Sequence, residues 1–283
     1  MKQVKVCKDA VEVSVIMAVY NLENRYILEL SIKSILNQTL KNIELLICDD
    51  ASTDNTYRII KELTRDDRRV KIFRNKVNMK AGGARNICLK HAVGKYIAIM
   101  DADDYSTKDR LEKQAKLLDE DHKYGFVGCK GGYFHKSVGD NEEKSYWFTA
   151  VPTKKDFLFT MPFVHASIMF RKEVLEQCQG YNSNIIVQRA EDYDLLMRIY
   201  ELGFRGVNIN EKLYYIREDV ETFKRRKYRF RFFEAIVRIR GFYKLGLMPL
   251  GVIYVVKPLL VGLIPVSILK RISEVYYNSK NEV

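Results

Sequence analysis

Tyr96-Ile97-Ala98-Ile99-Met100 runs directly into Asp101-Ala102-Asp103-Asp104, and the reading of the fold turns on this junction. Five apolar residues rich in Ile and Tyr predict a short buried strand. The acids then fall at its carboxyl end, the edge where open α/β sheets bind ligands. Three carboxylates within four residues repel one another, and a hard divalent cation with a bound phosphate relieves that repulsion. An acidic turn also serves as a solvated cap for the next helix, here one near Lys108-Asp109-Arg110-Leu111, with Ser106 and Thr107 ahead of it. A second apolar strand, Ile43-Glu44-Leu45-Leu46-Ile47-Cys48, also ends in acids, at Asp49-Asp50-Ala51-Ser52-Thr53-Asp54. Ser52 or Thr53 can cap the helix that follows, but a cap does not require both Asp49 and Asp50.

Outward from these turns the chain alternates. Strands are predicted at Glu12–Val19, Ile43–Cys48, Val70–Phe73 and Tyr96–Met100, with helices near Tyr26–Asn37, Thr56–Leu63, Gly83–Ala92 and Lys108–Leu118. Four such units predict an α/β fold: a mostly parallel central sheet, right-handed crossovers and helices on both faces. Lys90, Gly94 and Lys95 mark a helix end before the fourth strand. After Gly125–Cys129 the pattern becomes irregular, with Gly131-Gly132, Gly139-Asp140-Asn141 and the cluster Tyr146-Trp147-Phe148, and this region is expected to shape a second pocket.

Val13-Ser14-Val15-Ile16-Met17-Ala18-Val19-Tyr20-Asn21, Asp49-Asp50-Ala51-Ser52-Thr53-Asp54, Gly83-Ala84-Arg85-Asn86, Asp101-Ala102-Asp103-Asp104 and Glu191-Asp192-Tyr193-Asp194-Leu195 follow one another as motifs do in the family 2 glycosyltransferases. The chain resembles that family over about residues 11 to 217, and the resemblance implies the GT-A fold, a Rossmann-like nucleotide-binding architecture. It implies a donor half at about 11–129 and an acceptor half at about 130–217, within a domain spanning 1–217. It also implies site roles. Backbone around Val19, Tyr20 and Asn21, with the Tyr20 ring and nearby Glu23, would floor the nucleoside pocket, and Asp50 would accept from a base N–H. Asp101 or Asp103 would hold the ribose, and Asp103 or Asp104 a divalent metal, Mn²⁺ or Mg²⁺. Asp192, supported by Glu191, would be the general base of an inverting transfer.

Lys80, Gly82-Gly83 and Arg85 read as a flexible cationic segment entering a helix, suited to a pyrophosphate. Where the family commonly has a glycine soon after the asparagine, this chain reads Asn78-Met79-Lys80-Ala81-Gly82-Gly83. His165, ahead of a strand pattern, and Trp147, in the aromatic cluster, are candidates for the acceptor side. Glu191 and Asp192 also stand in the first turn of an amphipathic helix, where its dipole favours acids.

With 283 residues the chain can bury a large α/β core and still carry an appendage. Its five cysteines, odd in number and without a Cys-x-x-Cys pair, suggest neither a disulfide framework nor a zinc site. An N-terminus without an apolar signal region places the catalytic part in the cytoplasm. From Arg217 onward 14 Lys and Arg stand against 6 Asp and Glu, +8 of the net +12. Lys224-Arg225-Arg226-Lys227-Tyr228-Arg229-Phe230-Arg231-Phe232-Phe233 precedes the 25-residue apolar stretch Leu245–Leu269, interrupted by Lys257 and three prolines. No nucleic-acid recognition motif accompanies the basic run, so residues 218–283 are expected to be helical and to bind the cytoplasmic face of a membrane, bent within it rather than crossing it. The expected activity is metal-dependent, inverting transfer from a nucleotide-diphosphate sugar, UDP-linked by preference, to a saccharide or lipid-linked saccharide in surface polysaccharide synthesis; a homo-oligomer is compatible with it. The alternatives are a polymerising synthase, for which the spanning helices are lacking, and a catalytically silent binding module, against which the intact acids speak.

Overall fold

The computed structural model describes residues 10–138, 140–145, 148–218 and 228–262. Trp147, the 224–227 cations and the end of the apolar stretch lie outside the described residues. The donor half alternates as expected: β1 (Val13–Val19), α1 (Arg25–Leu36), β2 (Ile43–Asp49), α2 (Thr56–Thr64), β3 (Val70–Arg74), α3 (Lys80–His91) and β4 (Tyr96–Asp101). There follow β5 (Tyr105–Ser106), α4 (Arg110–Glu120), β6 (Phe126–Phe134), β7 (Asn141–Ser145), β8 (Met169–Arg171), α5 (Lys172–Gln177), α6 (Glu191–Glu201), β9 (Gly206–Arg217), α7 (Tyr228–Lys244) and α8 (Val252–Gly262). The described strands form one sheet in the order β3-β2-β1-β4-β8-β6-β9-β5, with β7 beside β6.

Alternation along the central strands divides the core into two layers. Val13, Val15 and Met17 of β1, Leu45 and Ile47 of β2, and Tyr96, Ala98 and Met100 of β4 face Leu28 and Ile32 of α1, Ile60 of α2 and Leu111 and Leu118 of α4. Ile16, Leu46, Ile97 and Ile99 face the other way, onto Ala84 and Cys88 of α3 and Leu195, Leu196 and Ile199 of α6. A strand with both pleat faces covered reads as a near-continuous apolar run, which is why these strands were legible without polar alternation.

Register sets the site. β1 pairs in parallel with β2 and β4, bringing Val19 opposite Asp49 and Ala18 opposite Asp101. The acidic turns therefore leave one sheet edge side by side. The irregular region holds more strand than expected, since Gly131-Gly132 lies inside β6. The two halves also share the sheet: β8, from the acceptor half, runs antiparallel between β4 and β6. Ala235, Val237 and Phe242 of α7, Leu245, and Val255 of α8 lie in the same buried layer as α6. The segment expected as a separate appendage is thus partly core. No helix among the described residues is long and apolar enough to cross a membrane.

Opposite the site, the connection into β4 is packed backbone to backbone. A Cβ at Gly94 would sit 2.5 Å from the Ser14 amide nitrogen. The Gly94 N–H donates to Ser14 Oγ at 2.8 Å, and the Ser14 hydroxyl donates to Glu44 at 2.6 Å. Gly94→Ala should cost about 1–3 kcal/mol through overpacking against rigid backbone. Urea unfolding checks this, and an unchanged midpoint would mean the turn can yield.

Candidate active site

The first two loops are laced together at the carboxyl edge. Asn21 adopts φ 46°, a left-handed conformation that asparagine tolerates, and Ala51 adopts φ 61°. The Asn21 N–H donates to Ser52 Oγ at 3.0 Å, Asn21 Oδ1 accepts from the Thr53 N–H at 3.0 Å, and the Leu22 N–H donates to Thr56 Oγ1 at 2.8 Å. Glu23 Oε2 accepts from the Asn55 N–H at 3.4 Å. Ser52, expected as a helix cap, instead joins the two loops; the first α2 turn is served by Asp54, whose Oδ1 accepts from the Thr56 N–H at 3.0 Å. The Tyr20 ring stands half exposed beside this floor.

Asp50 has a structural contact beside the expected one. Its Oδ1 accepts from Asn75 Nδ2 and from the Met79 N–H, both at 2.8 Å, so it anchors the β3–α3 connection. Asp49, fully buried, lies 3.0 Å from Arg74 Nε. The segment read as flexible and cationic is the first half of α3. Gly82 packs there without a side chain because a Cβ would lie 3.3 Å from Tyr181 Cβ and 3.7 Å from Glu191 Cβ. Lys80, exposed at φ 65°, lines a separate small depression with Gly82, Gly83 and Gln188. Arg85 is buried and bonded to Asp101 Oδ1 at 2.6 Å, at the edge of the cleft.

Asp101 and Asp104 form one wall of the cleft. The Asp101 N–H donates to Tyr214 Oη at 3.1 Å, and Ser31 Oγ donates to the Asp101 carbonyl at 3.0 Å. The Arg217 N–H donates to Asp104 Oδ1 at 2.9 Å, while Arg217 Nε holds the Asp103 carbonyl at 3.0 Å. Burial, with Asp103 and Asp101 alongside, pushes the Asp104 carboxyl well above its ordinary range. Asp103 itself is exposed at the rim. Beneath the turn Arg110 is fully buried, donating to the Ile99 carbonyl at 3.1 Å with its guanidinium over the Tyr214 ring at 5.2 Å.

The opposite wall comes from the acceptor half. Glu191 and Asp192 open α6, and burial together with the neighbouring Glu191 charge pushes the Asp192 carboxyl up to about 6. His165 lines the cleft as expected, but it is buried, its Nε2 2.9 Å from Tyr181 Oη. Burial, with Arg85 adding to it, keeps its pKa well below normal, so the ring is neutral. Three residues escaped the sequence reading: Tyr181, under the Arg85 guanidinium at 5.6 Å; Arg189, at φ 71° in the cleft wall; and Arg238 of α7. Arg238 donates to the Leu158 carbonyl at 3.2 Å and lies over the Tyr193 ring at 5.0 Å, next to Asp192. None of these belongs to a recognisable pattern.

Together these walls enclose a cleft of about 350 Å³ lined by Arg85, Asp101, Asp104, His165, Arg189, Glu191 and Asp192. A larger depression, about 500 Å³, lined by Thr153, Lys154, Lys155, Tyr200 and Arg205, carries no carboxylate. The family model described as Glycosyl transferase family 2 matches residues 14–179. The chain belongs to that family. It is a glycosyltransferase. It is 40% identical over 261 residues, 92% of each chain, to the putative glycosyltransferase EpsE of Bacillus subtilis. It is 30% identical over 210 residues, 70% of this chain and 74% of the other, to the Escherichia coli UDP-Glc:alpha-D-GlcNAc-diphosphoundecaprenol beta-1,3-glucosyltransferase WfaP.

Among solved structures it resembles Staphylococcus aureus TarS 1-349 in complex with UDP-GlcNAc, with a TM-score of 0.66 at 22% identity, covering 83% of this chain and 70% of that one. It also resembles the mannosyltransferase PcManGT of Pyrobaculum calidifontis in complex with GDP-Man and Mn²⁺, with a TM-score of 0.60 at 21% identity, covering 89% and 69%. At that identity the likeness fixes the GT-A fold.

Among the described residues no group of three His, Cys, Asp or Glu side chains is arranged to hold a metal alone. The donor set nevertheless suits a hard cation. The crowded Asp104 carboxyl lacks a cationic side chain in hydrogen-bonding contact, and Mg²⁺-type sites use one or two carboxylates and complete themselves with substrate phosphates. Asp50→Ala leaves Asn75 and the Met79 N–H without their acceptor, which should lower stability by about 1–3 kcal/mol. Asp50→Asn, which keeps an acceptor oxygen, should lose less. Equal thermal midpoints for wild type and Asp50→Ala would contradict the anchoring role.

Proposed function

We propose that the enzyme transfers a sugar from a UDP-linked donor to a hydroxyl of a saccharide or lipid-linked saccharide, with inversion, in the assembly of a surface polysaccharide. One observation carries this reading: a single cleft sets Asp101, Asp104 and Arg85 of the donor half against Glu191 and Asp192 of the acceptor half. The UDP-glucose named for WfaP and the UDP-GlcNAc held by TarS support the donor class.

The nucleoside would rest on the Val19–Asn21 floor beside Tyr20, with its diphosphate directed to the Asp101–Asp104 turn. Asp104 and Asp103 would hold Mn²⁺ or Mg²⁺ with the donor diphosphate, and the bound cation would offset charge developing on the departing group. Arg85, bonded to Asp101 Oδ1, would orient that carboxylate toward the ribose. Across the cleft, Asp192 takes the proton from the acceptor hydroxyl as its oxygen bonds to the anomeric carbon, and the bond to the diphosphate breaks on the opposite face of the sugar. A carboxyl raised to about 6 is still mostly ionised at neutral pH, yet it is a stronger base than an ordinary aspartate. Neutral His165 and Tyr181 orient the wall without competing for that proton.

Asp192→Asn should reduce turnover by about 10²–10⁴-fold, the usual worth of a positioned general base, and leave UDP affinity in Mn²⁺ nearly unchanged. Asp104→Ala should weaken UDP binding itself and remove its dependence on Mn²⁺. Calorimetric titration of both variants separates the roles. Equal loss of UDP affinity in the two would exclude Asp192 as the base.

A further inference from the structure

α8 turns an apolar face to solvent. Ile253 is 76% exposed, Leu260 59%, and Leu250, just before the helix, 75%, with Val252 and Val256 on the same side. Tyr243, near the end of α7, is 77% exposed. Scattered exposed apolar residues are ordinary, but this many large ones on one short helix and the turn before it form a patch, and such a patch marks a contact surface.

Charge selects the partner. From Ala235 to Ser273 the sequence contains six Lys and Arg and no Asp or Glu. Lys257 is exposed on α8 and Arg240 on α7. Arg238 is met by Glu234 and Lys244 by Glu201, and a second copy of the chain would bring the exposed Arg240 and Lys257 against like charges. An anionic lipid surface offers the opposite: headgroup phosphates for the cations and acyl chains for Ile253, Val256 and Leu260, with the Lys257 stem reaching back to the headgroups. Lys257 midway along the described part of α8 disfavours burial of that helix at the centre of a bilayer, so it would lie in the surface.

Position ties this patch to the cleft. The Tyr254 ring packs edge-on against Phe159, centroids 5.1 Å apart, and Phe159 is itself 51% exposed. Two residues further on, Met161 lines the cleft beside the acids. We propose that the α8 face, with Tyr243 and Phe159 at its margins, docks on an anionic bilayer and holds the acceptor side of the cleft at the membrane surface. Delivery of a lipid-linked acceptor rests on the function proposed above; bilayer binding does not.

Cosedimentation of the full chain with phosphatidylcholine vesicles, with and without phosphatidylglycerol, tests this. Wild type should pellet with the anionic vesicles, less at high salt, and far less with phosphatidylcholine alone. Ile253→Asp combined with Leu260→Asp should lower the partition at least about tenfold and leave UDP affinity and transfer to a water-soluble acceptor unchanged. Equal partition of wild type and variant, or no partition of wild type, overturns the proposal. So does a dimer that the same substitutions dissociate without any vesicle binding. Vesicle binding without UDP binding would leave the docking surface standing and remove the transferase reading of the cleft.

Discussion

Arg85 places a positive charge, shielded from water, 2.6 Å from Asp101 and alongside Glu191, and the geometry of the cleft depends on it. Burial opposes that charge, but Asp101, Tyr181 and Glu191 outweigh burial and raise its pKa. The guanidinium thereby joins a carboxylate at the end of β4 to the start of α6, two elements far apart in sequence. Gly82, on the same helix, lets α3 approach Tyr181 and Glu191 closely enough for this contact. Arg85 thus bonds the end of β4 while its charge is also felt by Glu191 at the start of α6.

Charge is distributed unevenly around that cluster. Asp101 has its cation, whereas Asp104 meets a backbone N–H and Asp192 lies beside another acid. Both poorly compensated carboxyls have raised pKa values, and both face the space where substrate must sit. Strained backbone lies nearby too: Arg189 adopts a positive φ in the cleft wall, and Asn21 and Ala51 do so in the loops after β1 and β2. Such conformations cost on the order of 1 kcal/mol or more each and persist where surrounding structure enforces them. α7 touches one of these residues, the Arg189 guanidinium lying over the Phe230 ring at 5.7 Å.

Much of this was legible in the sequence for physical reasons. Strands buried on both faces announce themselves as apolar runs, and acids directly after them mark the ligand edge, so β1 to β4 and the Asp101 turn could be read directly. Gly131-Gly132 lies within β6, where glycines leave no strand signal of their own. The bonds of Asp50 to Met79 and of Arg85 to Asp101 could not be foreseen, because they are a matter of tertiary placement. Tyr181, Arg189 and Arg238 left no local signature at all; each acts through a neighbour distant in sequence or through a backbone angle. The basic and apolar C-terminal run was expected to seek a membrane surface, yet Phe242 and Val255 belong to the core, and composition alone does not separate a buried face from an exposed one.

The pH dependence of kcat/KM for sugar transfer from UDP-glucose or UDP-GlcNAc, in wild type and Glu191→Gln, tests the central claim most directly. Asp192 must be deprotonated to accept the proton, so the rate should fall about tenfold per pH unit below a limb near pH 6. Removing the neighbouring Glu191 charge should move that limb to lower pH. A limb that stays in place in Glu191→Gln, or a rate without an acid limb, would contradict the assignment of Asp192 as the base and of the cleft as the place of transfer.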